Sequence, residues 1–183
     1  MRRIACSLAL LVAVGGAAFA QATTAFAGKP AVVTAAGQSA DFEMIKVLLT
    51  RAKIPFEADS LLAASALSAS QKTLILVAGA STKGLGAAGI SAEAETARLE
   101  ALIKRAKELK MSVITVHVGG GARRGPLSDG LIAICMAASD YAIIVEDGDK
   151  DQFFTKLAAE SRIALTKVER ISAVGAPLAA AFK

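Results

Sequence analysis

The sequence predicts an α/β fold: a single doubly wound, mostly parallel sheet of about six strands with helices on both faces, Rossmann-like with flavodoxin-like strand order. Three observations predict it. From Pro30 onward short β-branched runs alternate with longer stretches of helical period, the signature of βαβ units. The third to fifth of those runs are almost wholly apolar, as strands covered on both faces must be. No repeat, low-complexity tract or linker breaks the pattern, and 183 residues at 54% hydrophobic suit one domain with one sizeable core.

Taken in order, Arg2 and Arg3 precede an apolar run from Ile4 to Val14, then Gly15, Gly16 and the small-x-small triplet Ala18-Phe19-Ala20. That order is a secretory signal peptide, residues 1–20, cut after Ala20. A second triplet, Ala25-Phe26-Ala27, is the alternative cut. Residues 21–29 read as a flexible lead and 30–183 as the domain. Kept as an anchor, Ile4 to Ala20 falls short of the ~20 residues a span needs, so the expectation is an exported protein, periplasmic or extracellular, with no stable membrane insertion after cleavage.

The strand candidates are Ala31–Ala36, Ile54–Ala58, Thr73–Ala78, Ser112–Val118, Tyr141–Glu146 and Ile163–Val168. The helix Ser39–Ala52 buries Phe42, Ile45, Leu48 and Leu49. Helix Ser91–Leu109 buries Leu99, Leu102, Ile103, Ala106 and Leu109, with Arg98, Glu100 and Lys104 on its solvent face. Helix Asp149–Glu160 opens with a reciprocal cap, Asp149 to Gln152. Pro126–Ala138 is apolar on nearly every side and should be buried, making Cys135 an inert core thiol. Ser172–Phe182 closes the domain.

Composition excludes several classes. Aromatic residues are 4% of the chain, Trp is absent and Tyr occurs once, so stacking surfaces for nucleic acid have little to be built from. Loss of Arg2 and Arg3 with the signal leaves 19 Lys+Arg against 16 Asp+Glu, a net charge of +3, which implies no polyanion partner. Cys6 leaves too, so no internal disulfide is possible. One histidine excludes paired-His zinc sites, and no metal or cofactor is expected.

In such sheets ligands bind beyond the carboxyl ends of the strands, so the loops after the strands carry the chemistry. In the first, Gln38 and Ser39 enter a helix N-terminus; Ser39 reads first as a cap and second as a ligand contact, whereas Gln38 has no structural duty and reads as a contact. The second, Gly79 to Ile90, holds a formal G-x-G-x-x-G from Gly84 to Gly89. It fails as a dinucleotide fingerprint, because Ala80 to Lys83 intervene after the strand and the next strand ends on His117 and Val118 with no acid. It reads instead as a flexible glycine-rich flap whose Ser81, Thr82 and Lys83 reach a bound anion.

The third loop is the most distinctive: His117 at a strand end, three glycines, then Arg123 and Arg124, forked donors for carboxylate or phosphate, with Ser128 and Asp129 opening the next helix. The competing reading has these arginines solvated, or paired to Glu146 and Asp147 of the fourth loop. That loop is acidic, yet its spacing is not an EF-hand, and turn and cap roles account for it.

The strings GLGAAGIS, HVGGGARRG, SDGLI and VEDGDKDQFFTK together resemble a family of small exported bacterial proteins known only as a domain of unknown function, over Pro30 to Phe182. The resemblance implies an exported bacterial single domain and brings no activity, cofactor or catalytic residue. The residues themselves lead to a non-enzymatic domain that binds a small anionic molecule through Gln38, Ser39, Ser81, Thr82, Lys83, His117, Arg123, Arg124 and Ser128, with Glu146 and Asp147 as buttresses or amine contacts. Two alternatives stay open: a hydrolase or transferase with His117 as general base oriented by Asp129 or Glu146, and a protein-interaction module marked by a flat apolar patch.

Overall fold

A computed structural model describes residues 25–183; the expected signal peptide and residues 21–24 of the lead lie outside the described residues. Six strands form one parallel sheet: β1 (Ala31–Ala36), β2 (Phe56–Ala58), β3 (Thr73–Ala78), β4 (Ser112–His117), β5 (Tyr141–Val145) and β6 (Ala164–Val168), in the order β2-β1-β3-β4-β5-β6. This is the flavodoxin-like order, and the direction of build reverses between β1 and β3.

Alternation along the strands sorts the core into two layers. Val33, Ile75, Val77, Ile114, Val116 and Ile143 face one side, where α1 (Asp41–Arg51) packs with α6 (Gly175–Ala181). Val32, Leu74, Leu76, Val113, Ala142 and Ile144 face the other, covered by α3 (Ala92–Glu108), α4 (Pro126–Ala138) and α5 (Phe153–Ser161). Between β3 and α3 lies the six-residue α2 (Thr82–Ala87). Cys135 on α4 is fully buried, and that burial pushes its thiol up to about 12, so it is a core residue with no nucleophilic thiolate.

Departures from the expected boundaries have local causes. β2 starts at Phe56 rather than Ile54, because the Ile54 N–H closes α1 on the Leu49 carbonyl (3.1 Å) and Pro55 has no N–H to give. The Asp149–Gln152 cap does not form: Gln152 sits in the left-handed region at φ 60° and the helix begins at Phe153. Asp149 still serves its N-terminus from further back, accepting from the Phe154 N–H (2.7 Å) and Thr155 N–H (3.2 Å) while Lys167 pairs with its other oxygen (2.6 Å). The last helix is split, a 3₁₀ turn at Ile171–Val174 preceding α6.

The described part of the lead is docked rather than free. The N–H groups of Phe26 and Ala27 both donate to the Ala181 carbonyl (2.9 and 2.8 Å), Lys183 N–H donates to Ala27 O (3.0 Å), and Ala27 is fully buried. The fold thus takes in the chain before Pro30.

Candidate functional site

Because every strand runs the same way, the loops after β1, β3, β4 and β5 gather on one edge. Two of them enclose an open cleft of about 560 Å³. Ala80, Ser81, Thr82 and Lys83 form one wall; Arg123, Arg124 and the first turn of α4, Gly125 to Ser128, form the other. The expected flap is not a loop: GLGA lies within α2, whose cap is the Ser81 hydroxyl accepting from the Gly84 N–H (3.1 Å). Glycine is required there, since a Cβ on Gly84 would lie 1.8 Å from the Gln38 carbonyl oxygen. The close approach fixes the Ser81–Lys83 wall in place.

The opposite wall is built by α4. Gly125, at φ 136°, turns the chain into the helix and Pro126 occupies its first position, where no N–H is needed. The N–H groups of Leu127 and Ser128 are the unpaired donors that a helix start leaves, at the positive end of a 13-residue dipole. The Ser128 hydroxyl is buried and accepts from the Ala80 N–H (2.8 Å), tying the walls together at the cleft floor. No ion pair among the described residues involves Lys83 or Arg123, so both border the cleft with neither charge neutralised.

Arg124 borders the same cleft but its guanidinium is committed. It forms a bidentate pair with Asp129 (2.7 and 3.1 Å), a second with Asp151 (3.0 and 3.0 Å), and donates to the Gly148 carbonyl (2.5 Å). Its Cζ lies 4.2 Å from the centroid of the Phe153 ring. The hydrogen bonds it donates to Asp129 and then to Asp151 raise its pKa further, and the same contacts hold Asp129 below the usual carboxylate range and Asp151 at about 2. The arginine is therefore a clasp between the third and fourth loops, and its partners are Asp129 and Asp151, not Glu146 and Asp147.

Five other expected contacts lie elsewhere. His117 is fully buried, with Nδ1 2.8 Å from Ala78 O, Nε2 3.1 Å from Gly120 O, and the Phe154 ring packed at 4.9 Å. Both ring nitrogens thus lie against backbone carbonyl oxygens, and His117 is not part of the cleft lining. Gln38 does have a structural duty: in the left-handed region at φ 58°, it donates to Ser60 O (2.8 Å) and to Glu95 Oε1 (3.3 Å). Ser39 is buried and its hydroxyl accepts from the Asp41 N–H (3.3 Å), a turn contact just before α1, whose N-cap is Ala40 with no side-chain cap hydrogen bond. Glu146 and Asp147 line a separate depression with Lys150, Lys167 and Glu169; Asp147 pairs with Lys150 and accepts from the Gly121 N–H (2.9 Å), and both contacts depress its pKa.

The sequence reading missed Glu95 and Arg98. Glu95 is fully buried and accepts from Arg98 Nε (2.8 Å), Arg98 Nη2 (2.9 Å) and the Gly37 N–H (2.7 Å), while Arg98 also donates to Ala35 O (2.6 Å) and Leu62 O (3.0 Å). Arg98 belongs to no solvent face; it locks the end of β1. The signal was present, because Glu95 stands four residues before Leu99 and seven before Leu102, on the apolar stripe itself.

One polar atom beside the cleft is unsatisfied. Asp41 Oδ2, in the first turn of α1, is shielded from solvent and accepts no hydrogen bond, and it lies against Gly79, Gly119 and the Arg123 stem. Among the described residues, the apolar patch that would mark an interaction module is reduced to Met44 and Val47, one turn apart on α1 and flanked by Glu43, Lys46 and Arg51. No helix among the described residues is long and apolar enough to cross a membrane.

A family model with the description "Domain of unknown function (DUF6305)" matches residues 28–182. No curated protein and no solved structure matches the chain.

Proposed function

The chain belongs to the family described as a domain of unknown function (DUF6305), and from that premise we propose that it is an exported binding domain for a small carboxylate or phosphate, held in the cleft between α2 and α4. The observation that carries the reading is a pair of cations on opposite walls, Lys83 and Arg123, without ion-pair partners among the described residues, above the unpaired N–H groups of α4. Carboxylate or phosphate oxygens satisfy all of these at once: forked donors from Arg123, a point charge from Lys83, and backbone N–H groups at a helix start. Ser81 and Thr82 border the same space.

Magnitudes bound the ligand. Two charge-assisted contacts at ~1.5–3 kcal/mol each and a helix-dipole contribution of ~0.3–1 kcal/mol give dissociation constants of about millimolar to micromolar. A cleft of about 560 Å³ suits a small molecule. Catalysis is not favoured, since the one histidine is buried with both ring nitrogens against backbone carbonyls and the Ser128 hydroxyl is already engaged. The N-terminal sequence supports export: its apolar run and Ala18-Phe19-Ala20 triplet belong to a signal, and the docking of Ala27 argues against the later cut.

The test is a melting-temperature screen of the purified protein against inorganic phosphate and small mono- and dicarboxylates, with sodium chloride at matched ionic strength. An anion at ~100 times its dissociation constant adds about 2.7 kcal/mol. The stabilisation should vanish in Arg123→Ala and fall in Lys83→Ala. Equal melting in every anion would overturn the proposal.

A further inference from the structure

We infer that Asp41 competes with the bound anion for Arg123 and so sets the affinity of the cleft. This rests on the anion reading above, and it starts from the unsatisfied atom. Among the described residues, Asp41 Oδ2 is the one buried side-chain oxygen or nitrogen without a hydrogen-bond partner. A carboxylate oxygen removed from water and left unpaired is costly, more so than a neutral group. The stem of a cation, Arg123, lies beside it.

Two glycines bring them together. A Cβ on Gly119 would lie 2.7 Å from Asp41 Oδ2 and 2.0 Å from Arg123 Cγ; a Cβ on Gly79 would lie 3.6 Å from the same oxygen and 3.7 Å from Arg123 Cβ. The Arg123 stem and the carboxylate therefore share the space that two missing side chains leave open, at the point where the sheet reverses between β1 and β3. The Arg123 Nε is only two bonds beyond Cγ. Rotation among staggered rotamers along the stem moves Nε–H relative to Oδ2 without moving the backbone.

Arg123 thus has two seats. In one its guanidinium faces the cleft and Asp41 is orphaned; in the other the two charges satisfy each other and the cleft loses its forked donor. An anion binds the first seat only, so its apparent affinity is reduced by the fraction of molecules in the second. Asp41 is a positioning residue: it acts on the ligand through Arg123.

The experiment measures inorganic phosphate binding by titration calorimetry to the wild-type chain, Asp41→Asn and Glu43→Gln, with Arg Nε–H resonances followed by NMR. Asp41→Asn should bind phosphate roughly threefold to tenfold more tightly. Glu43→Gln, which removes an equal charge from the same helix turn, should bind as the wild type does. A hydrogen-bonded Nε–H resonance, assigned to Arg123 by its loss in Arg123→Lys, should be present without phosphate, absent in Asp41→Asn, and lost on phosphate addition. Equal or weaker binding by Asp41→Asn, or persistence of that resonance in it, overturns the role of Asp41 while leaving the cleft reading intact. No phosphate or carboxylate binding by any chain would overturn the cleft reading and the competition together.

Discussion

Arg123 and Arg124 are joined by one peptide bond and border the same cleft, yet they differ in every physical respect that matters. Arg124 has its donors spread over two carboxylates, a carbonyl and an aromatic face. Arg123 has no ion-pair partner among the described residues and lies over an oxygen that itself lacks one. The lesson concerns where charge is spent. A guanidinium whose donors are all matched within the fold holds loops together and has nothing left for a ligand. One whose donors are unmatched marks the region that waits for something else. The Glu95–Arg98 pair belongs with Arg124, and Lys83 belongs with Arg123.

The sharpest way to break that division is to remove a matched charge. Glu95→Ala leaves Arg98 with an uncompensated charge, its side chain 13% exposed, and should cost about 3–5 kcal/mol in chemical denaturation. A cost below about 1 kcal/mol would mean that the pair is not part of the scaffold. Arg124→Ala comes next, at about 2 kcal/mol, discounted because Asp151 is 62% exposed. Its loss should also loosen the third and fourth loops, read as faster amide exchange at Gly121 and Gly148.

Acid probes the same clasp without mutation. Asp129 and Asp151 titrate lower folded than unfolded, so their contribution is fully present above the unfolded value near 4. It is lost as the pH falls through the folded values, Asp151 at about 2. Stability should therefore drop between about pH 4 and 2, and drop less in Arg124→Ala; an unchanged pH profile would separate the arginine from these carboxylates. The smallest effect is the most telling. Arg123→Ala should leave stability within about 0.5 kcal/mol of wild type while abolishing anion binding.

Much of the scaffold was legible because it depends on local pattern. Ala31–Ala36, Thr73–Ala78 and Pro126–Ala138 have the bounds that their composition implies, and strand order followed from short, right-handed crossovers. The site was legible only in part. Ser81, Thr82, Lys83, Arg123 and Ser128 do meet, because loops after neighbouring parallel strands must. What separates Arg123 from Arg124 is the position of Asp151, distant in the chain and brought near by β5 and the turn after it, and nothing in an Arg-Arg pair records that. Gln38 looked unemployed for the same reason: its partner Ser60 follows the edge strand β2. The glycine-rich stretch read as a flap because propensity disfavours glycine in helices, whereas packing against Gln38 outweighs that preference at Gly84.

The pairing of Ala27 with Phe182 has a consequence for how this molecule can be held. Gly28 then accepts from the Thr73 hydroxyl at the start of β3 (2.8 Å), so both ends of the described chain meet at the amino edge of the sheet, opposite the cleft. A contact made at Ala27 or at Lys183 therefore falls on the side of the sheet away from the cleft, and leaves the cleft unobstructed.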